Sequence, residues 1–263
     1  MAMLLSKACD ITGIVAIACT RHGCFAPNSV ANLYRGEQQK NVDWAFLQAI
    51  KTTNIDERQD VMIIYDIACQ YIIHFHDRVG HLLPADQKID AAIGLFHVHG
   101  HKDECFFRYA TSFIPGAAVV AGEILESLWA VLNQVTPAMR TATLAHRAEI
   151  MDDHMTDSNH KKTLGMGGVI VERYLQAAET SQIAQKYYNN LVQGIDPIDQ
   201  NEWERQIQNA ELTRLQDRTV MDILGAKQLV TDTVAAAASA DITSCDSSIT
   251  DWIQLAIEIE ECQ

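Results

Sequence analysis

Three short apolar runs lie in the first hundred residues: ITGIVAIAC at 11–19, DVMIIYD at 60–66 and DAAIGLFHV at 90–98. They are rich in Val, Ile and Ala, and too short for buried helices, so they predict buried strands. The text between them has another period. RHGCFAPNSVANLYRGEQ, punctuated by Gly23, Pro27, Asn28 and Gly36, reads as a loop. NVDWAFLQAIKT follows, with Trp44, Leu47, Ala49 and Ile50 at helical spacing and Asn41 as a candidate N-cap. IACQYIIHFHDRVGHL reads as a second helix, closed at Leu83-Pro84. Strand, helix, strand, helix, strand predicts an α/β fold.

After Gly116 the pattern changes. Val120, Ile124, Leu128, Val131 and Leu132 make one helical stripe. Residues 138–230 read almost wholly as helix, with breaks at Gly165–Gly168 and Gly194–Pro197. AAAASADITSCDSS, 235–248, has the small, polar composition of a linker. Residues 249–263 predict an amphipathic terminal helix with Ile249, Trp252, Ile253, Ala256 and Ile257 on its apolar face. The expected division is an α/β core over 1–135, a helical region over 136–234, the linker, and the terminal helix. A length of 263 residues with 48% hydrophobic content fits one large core with a helical appendage.

The net charge of −14 weighs against broad electrostatic binding to nucleic acid, which needs a basic face. It leaves open a metal-dependent enzyme, whose site needs acidic residues of its own. No run of 18 apolar residues predicts a membrane span. The first residues carry only Lys7 as an early positive charge and read as the approach to a strand rather than a leader. Cys9, Cys19, Cys24, Cys69, Cys105, Cys245 and Cys262 are odd in number, irregularly spaced and without a CxxC pair. That predicts a reducing compartment and no standard zinc ribbon.

The residues that could carry chemistry follow a fixed order. Asp66 ends the second apolar run, where ligands collect in open α/β sheets, and a carboxylate there can hold Mg²⁺. The same position suits a helix N-cap. His97, His101 and Cys105 are spaced by four and four; on one continuous helix they would share a face and could reach one Zn²⁺. His99 and Asp103 add donors, while Gly100 argues against a continuous helix and for a polar loop with one buried thiol. Glu123 and Glu126 lie on the polar side of the next helix, either on a solvated face or aimed at Asp66. His74 and His76 do not share a helix face and read as ordinary helix residues. Cys19, His22 and Cys24 suggest a structural turn, and Asp157 and Ser158 are candidate N-caps. A strand-end carboxylate, a His/Cys insert and a helix-borne glutamate, in that order, suggest a divalent-metal nuclease core.

At these residues the chain resembles the Kyakuja-Dileera-Zisupton transposases, mobile elements common in fungal genomes. The matching text is ACTRHGCFAPNSV, RGEQQKNVDWAF, YDIACQ, FHVHGHKDEC, FIPGAAVVAGEILESLWA and AHRAEIMDDHMTDSNHKK, spread over roughly residues 11 to 175. The resemblance implies an RNase H-like core with a DDE acidic triad that binds two Mg²⁺ ions for DNA cleavage and strand transfer. It implies DNA as partner, a nuclear location and no membrane. YDIACQ matches the family's second aspartate, giving Asp66. GEILESLWA matches the glutamate segment, with Glu126 preferred and Glu123 as the alternate. His97, His101 and Cys105 match the family's His/His/Cys segment, placed in an insert over about 97–116, and His99 is a departure. The family's first aspartate lies on a strand upstream of ACTRHG, and this chain starts just before that segment. The expectation is an incomplete RNase H-like core without the first strand, its aspartate and the next hairpin strand, and hence an inactive remnant. Asp10 and Asp43 are the nearby acidic candidates to replace it. A chain so exposed at its sheet edges is expected to self-associate or to recruit the missing segment. The rival expectation is a domesticated, non-catalytic scaffold for DNA or a protein.

Overall fold

The computed structural model describes residues 10–55, 59–85, 87–117, 120 and 122–213, and these belong to one unit, Met1–Arg218. The linker over 235–248 and the terminal helix over 249–263 lie outside the described residues. The architecture is mixed α/β, with small sheets followed by a helical half.

The first apolar run forms strand β1 (Gly13–Ala18), antiparallel to β2 (Phe25–Leu33). β2 occupies text that reads as a loop. Pro27 and Asn28 hide it: Asn28 has φ 56°, a turn-like conformation inside a strand. A bulge between Ala16 and Ala18 lies alongside. Gly23, at φ 67°, closes the connecting turn with its N–H on the Cys19 carbonyl. Cys19 and His22 meet in that turn, Sγ to Nδ1 at 3.3 Å.

Helix α1 (Gln39–Thr52) packs on the hairpin. It starts two residues before Asn41, and its N-cap is Gln38. Strand β3 (Val61–Ile64) pairs in parallel with β4 (Ile89–Ala92). Between them the predicted single helix is broken. α2 (Ala68–Tyr71) and α3 (Phe75–Val79) are separated by a tighter 3₁₀ turn at Ile72–His74, and a second follows at Gly80–Leu82. The third predicted strand ends early. Beyond Ala92 the chain enters α4 (Leu95–Val98) and α5 (Asp103–Tyr109). Then come α6 (Ile124–Leu132), α7 (Thr136–Thr141), α8 (Leu144–Val192) and α9 (Pro197–Thr213).

Alternation in the strands sorts the core into layers. In β1, Ala16 turns with Ile14 and Ala18 toward Leu128, Leu132, Met151 and Met155 of α6 and α8. Val15 turns the other way, toward a cluster of Val42, Phe46, Ile63, Tyr71, Phe75 and Ile89. In β3, Ile63 joins that second cluster, while Met62 and Ile64 face Ala92, Ile114 and Ala117. α1 therefore lies under both strand pairs. Yet the pairs are separate two-stranded sheets, with no ladder between them among the described residues.

α8 runs unbroken through Gly165, Gly167 and Gly168, where the glycines predict a break. Asp157 and Ser158 lie inside it and cap nothing; Asp157 pairs with Lys161 at 2.6 Å. Its first turns are held by the hairpin. The Asn159 side-chain amide accepts from Phe25 N–H at 2.8 Å and donates to Phe25 C=O at 2.9 Å, replacing a strand partner at the sheet edge. Arg147 donates to Asn32 Oδ1 at 2.6 Å. Farther along, Leu164, Tyr174 and Leu175 are exposed. No helix among the described residues is long and apolar enough to cross a membrane.

Candidate functional site

Asp66 leaves the parallel pair at its carboxyl end. Tyr65 N–H extends the ladder to the Ala92 carbonyl at 3.0 Å, and the chain then turns into α2. The N-cap of α2 is Ile67, with no side-chain cap bond, so Asp66 is not spent on capping. Its side chain is 59% exposed. Tyr65 is tied down beside it, donating its hydroxyl to Glu37 at 2.6 Å. Burial and that bond push its phenol above the usual range.

The neighbouring strand β4 delivers His97 by way of Gly94 and α4. Two glycines then bring in the start of α6. Gly122 has φ 83°, and a Cβ there would stand 2.9 Å from Ile64 Cγ2 and 3.1 Å from Gly94 Cα. A Cβ on Gly94 would overlap the Glu123 carboxylate. The absence of both side chains lets the two backbones cross closely. Glu123 thereby accepts the Phe96 N–H at 3.1 Å.

The result is a convergence on one ring nitrogen. His97 Nε2 lies 3.6 Å from Asp66 Oδ1, 3.5 Å from Glu123 Oε2 and 3.8 Å from Glu126 Oε1. Glu123 is mostly covered at 23% exposure, whereas Glu126 is 66% exposed. Three carboxylates around one point favour a cation among them. The His97 ring occupies the place that a hard divalent ion would take, and oxygen donors suit such an ion. The predicted partners Asp66, Glu123 and Glu126 are thus brought together, with His97 among them.

His101 and Cys105 point to a different place. With Cys69 of α2 they form a group whose donor atoms all lie within 4.8 Å of one another, each half-buried. Cys69 Sγ is 3.6 Å from His101 Nδ1. Burial, then the Cys105 thiol beside it, push Cys69 up to about 11. Sequence reasoning missed Cys69, which reads there as one residue of a helix. The available signal was its place in YDIACQ, three residues after Asp66. His99 goes to neither group and stacks on Phe106, ring centroids 5.4 Å apart.

Asp43 is also accounted for. It is buried at the start of α1, where Arg78 grips it through Nε at 2.8 Å and through its second nitrogen at 3.1 Å. Arg78 also donates to the Tyr71 carbonyl and lies over the Tyr71 ring, 5.0 Å from its centroid. The bond to Asp43 raises the Arg78 pKa further. A carboxylate so engaged is a structural counter-ion.

The model of the Kyakuja-Dileera-Zisupton transposase family matches residues 3–159. That span is more than half of the chain and holds both side-chain groups. The chain belongs to the Kyakuja-Dileera-Zisupton transposase family. No curated protein and no solved structure matches it.

Proposed function

We propose that this chain derives from a DDE-type DNA transposase, that its described strands make an incomplete RNase H-like core, and that alone it does not cleave DNA. The observation that carries the reading is the meeting of Asp66, Glu123 and Glu126 at His97. Family membership supports a transposase origin with DNA as the ancestral partner and the nucleus as its place of work. The two unjoined strand pairs support the incomplete core. An RNase H-like sheet needs a strand between them, and that strand would carry the first aspartate.

Asp66 and Glu126, with Glu123 as the alternate, would hold Mg²⁺. The metal would activate a water or 3′-hydroxyl and stabilise the leaving oxygen. Asp66 and Glu126 stand at the exposed side of the site, and Glu123 is fixed by the Phe96 amide. Asp43 cannot supply a further ligand while Arg78 holds it. Asp10 is exposed, and among the described residues no aspartate except Asp66 is ion-paired with His97. Mg²⁺ tolerates poor geometry badly, so two fixed ions are not expected here. A net charge of −14 weakens unaided DNA binding further.

A second reading, a non-catalytic scaffold, is favoured by one observation. α8 and α9 expose Leu164, Tyr174, Leu175, Ile198, Trp203 and Leu212, apolar surface suited to a protein partner or a second copy.

The test pairs Mn²⁺ titration with a plasmid-nicking assay in Mg²⁺ or Mn²⁺. The reading expects weak Mn²⁺ binding that Asp66→Ala removes, and no nicking above that control. Equal Mn²⁺ binding by both proteins would overturn the site. Nicking that vanishes in Asp66→Ala would overturn the inactivity.

A further inference from the structure

We propose that Cys69, His101 and Cys105 form a Zn²⁺ site that fastens the α4–α5 insert to the segment following Asp66. The three donors come from three places: α2, the turn after α4, and α5. Nothing local in the sequence brings residue 69 to residues 101 and 105; the fold does.

The distances fit the ion. Tetrahedral zinc, with Zn–S near 2.3 Å and Zn–N near 2.0 Å, sets sulfur and nitrogen donors about 3.5 Å apart. Cys69 Sγ and His101 Nδ1 stand 3.6 Å apart, and all three donors lie within 4.8 Å. Two thiols and an imidazole are soft or borderline donors, which select zinc over the hard ions suited to the carboxylates nearby. The group is half-buried against Ala68, Ile93, Val98 and Phe106, so water competes poorly for the metal. Three protein ligands leave the fourth position to a solvent molecule.

His97 turns its Nε2 to the carboxylates, and the donor atoms that gather within 4.8 Å of one another among the described residues are those of Cys69, His101 and Cys105. This sulfur-side site depends neither on the Mg²⁺ site nor on any activity. Its structural consequence is that the metal would tie Cys69, three residues past Asp66, to an insert that begins at His97. It would hold the two elements that carry the carboxylate–imidazole contact in register.

The experiment uses the full chain, stripped of metal under reducing conditions and titrated with Co²⁺. The expected result is one equivalent bound, with a thiolate-to-cobalt charge-transfer band that Zn²⁺ displaces. Cys69→Ser should weaken binding by at least about tenfold, a typical lower limit even for disturbing a ligand's supporting shell. His97→Ala and Asp66→Ala should bind Co²⁺ as the wild type does. If Cys69→Ser fails to fold, His101→Ala and the intensity of the wild-type thiolate band carry the test. Three results would each overturn the proposal: no stoichiometric uptake, loss of the metal in His97→Ala, or a Cys69–Cys105 disulfide in metal-free protein as isolated.

Discussion

His97 and His101 are four residues apart and end in opposite chemistry. His97 faces three carboxylates, two of them open to solvent. His101 faces two thiols in a half-buried pocket. The backbone between them explains the split. On a continuous helix the His101 N–H would bond the His97 carbonyl. Instead Gly100 N–H takes that carbonyl at 3.0 Å, and His101 N–H takes Val98 C=O at 3.1 Å. The turn tightens and ends, and Lys102 is extended before α5 begins. One short insert thus meets an oxygen-rich group through His97 and a sulfur-rich group through His101 and Cys105. Hard and soft cations would be sorted by donor type alone.

Metal removal gives the largest expected separation of the two faces. At free zinc a thousandfold above its dissociation constant, binding stabilises the fold by about 4 kcal/mol. Chelation should therefore lower the unfolding midpoint of the wild type clearly, and leave Cys105→Ser almost unmoved. Added Mg²⁺ should restore nothing. Recovery with Mg²⁺ would mean that the stabilising site is the carboxylate face, and the contrast would be lost.

The next effect asks whether the oxygen face has a hidden member. Arg78→Ala should destabilise by about 3 kcal/mol, because it leaves the Asp43 carboxylate buried and unpaired. Mn²⁺ binding measured well below the melting temperature should not change. A gain in Mn²⁺ affinity on freeing Asp43 would place it within reach of the site.

Much of the site was legible, and the limits are physical. Asp66 could be placed from β-branched residues leading to a carboxylate, and the α6 stripe from Leu128 and Leu132, both of which are buried. The pairing of histidines was not legible. Spacing by four assumes one helix, and Gly100 only hints at the break that sends His97 and His101 apart. Cys69 was invisible as a partner because its neighbours are distant in the chain. β2 was lost to Pro27 and Asn28, whose usual meaning is a turn. The glycines at 165–168 mislead in the opposite direction, because an exposed helix tolerates each at about 1 kcal/mol. The separation of the sheets is beyond periodicity altogether, since it depends on which strands find partners.

Asp66→Asn should move the two faces in different ways by a smaller amount. Mn²⁺ affinity should fall about tenfold, or about 1.4 kcal/mol, when the charge is removed. Stability should stay within about 0.5 kcal/mol, because the side chain is exposed and caps no helix. Cobalt binding at the sulfur face should be untouched. A matching loss at both faces would show that they form one site.

The smallest effect separates Glu126 from Glu123. Glu123 is the nearer to His97 and the better covered, but its Oε1 is already committed to the Phe96 amide. Glu126 is exposed on the first turn of α6 and is free to turn toward an ion. Glu126→Gln should therefore weaken Mn²⁺ binding by about fivefold, near 1 kcal/mol, with stability unchanged. Glu123→Gln should cost about 0.5–1 kcal/mol of stability by turning a charge-assisted hydrogen bond into a neutral one. Its effect on the metal should be the lesser. Gly94→Ala supplies an independent check, because a Cβ there overlaps the Glu123 carboxylate and must displace it. If Glu126 is the ligand, Mn²⁺ binding survives in Gly94→Ala and is lost only with Glu126. If binding instead follows Gly94→Ala and Glu123→Gln together, the metal-binding glutamate is Glu123. Its anchoring to Phe96 would then be what holds the carboxylate in place for the ion.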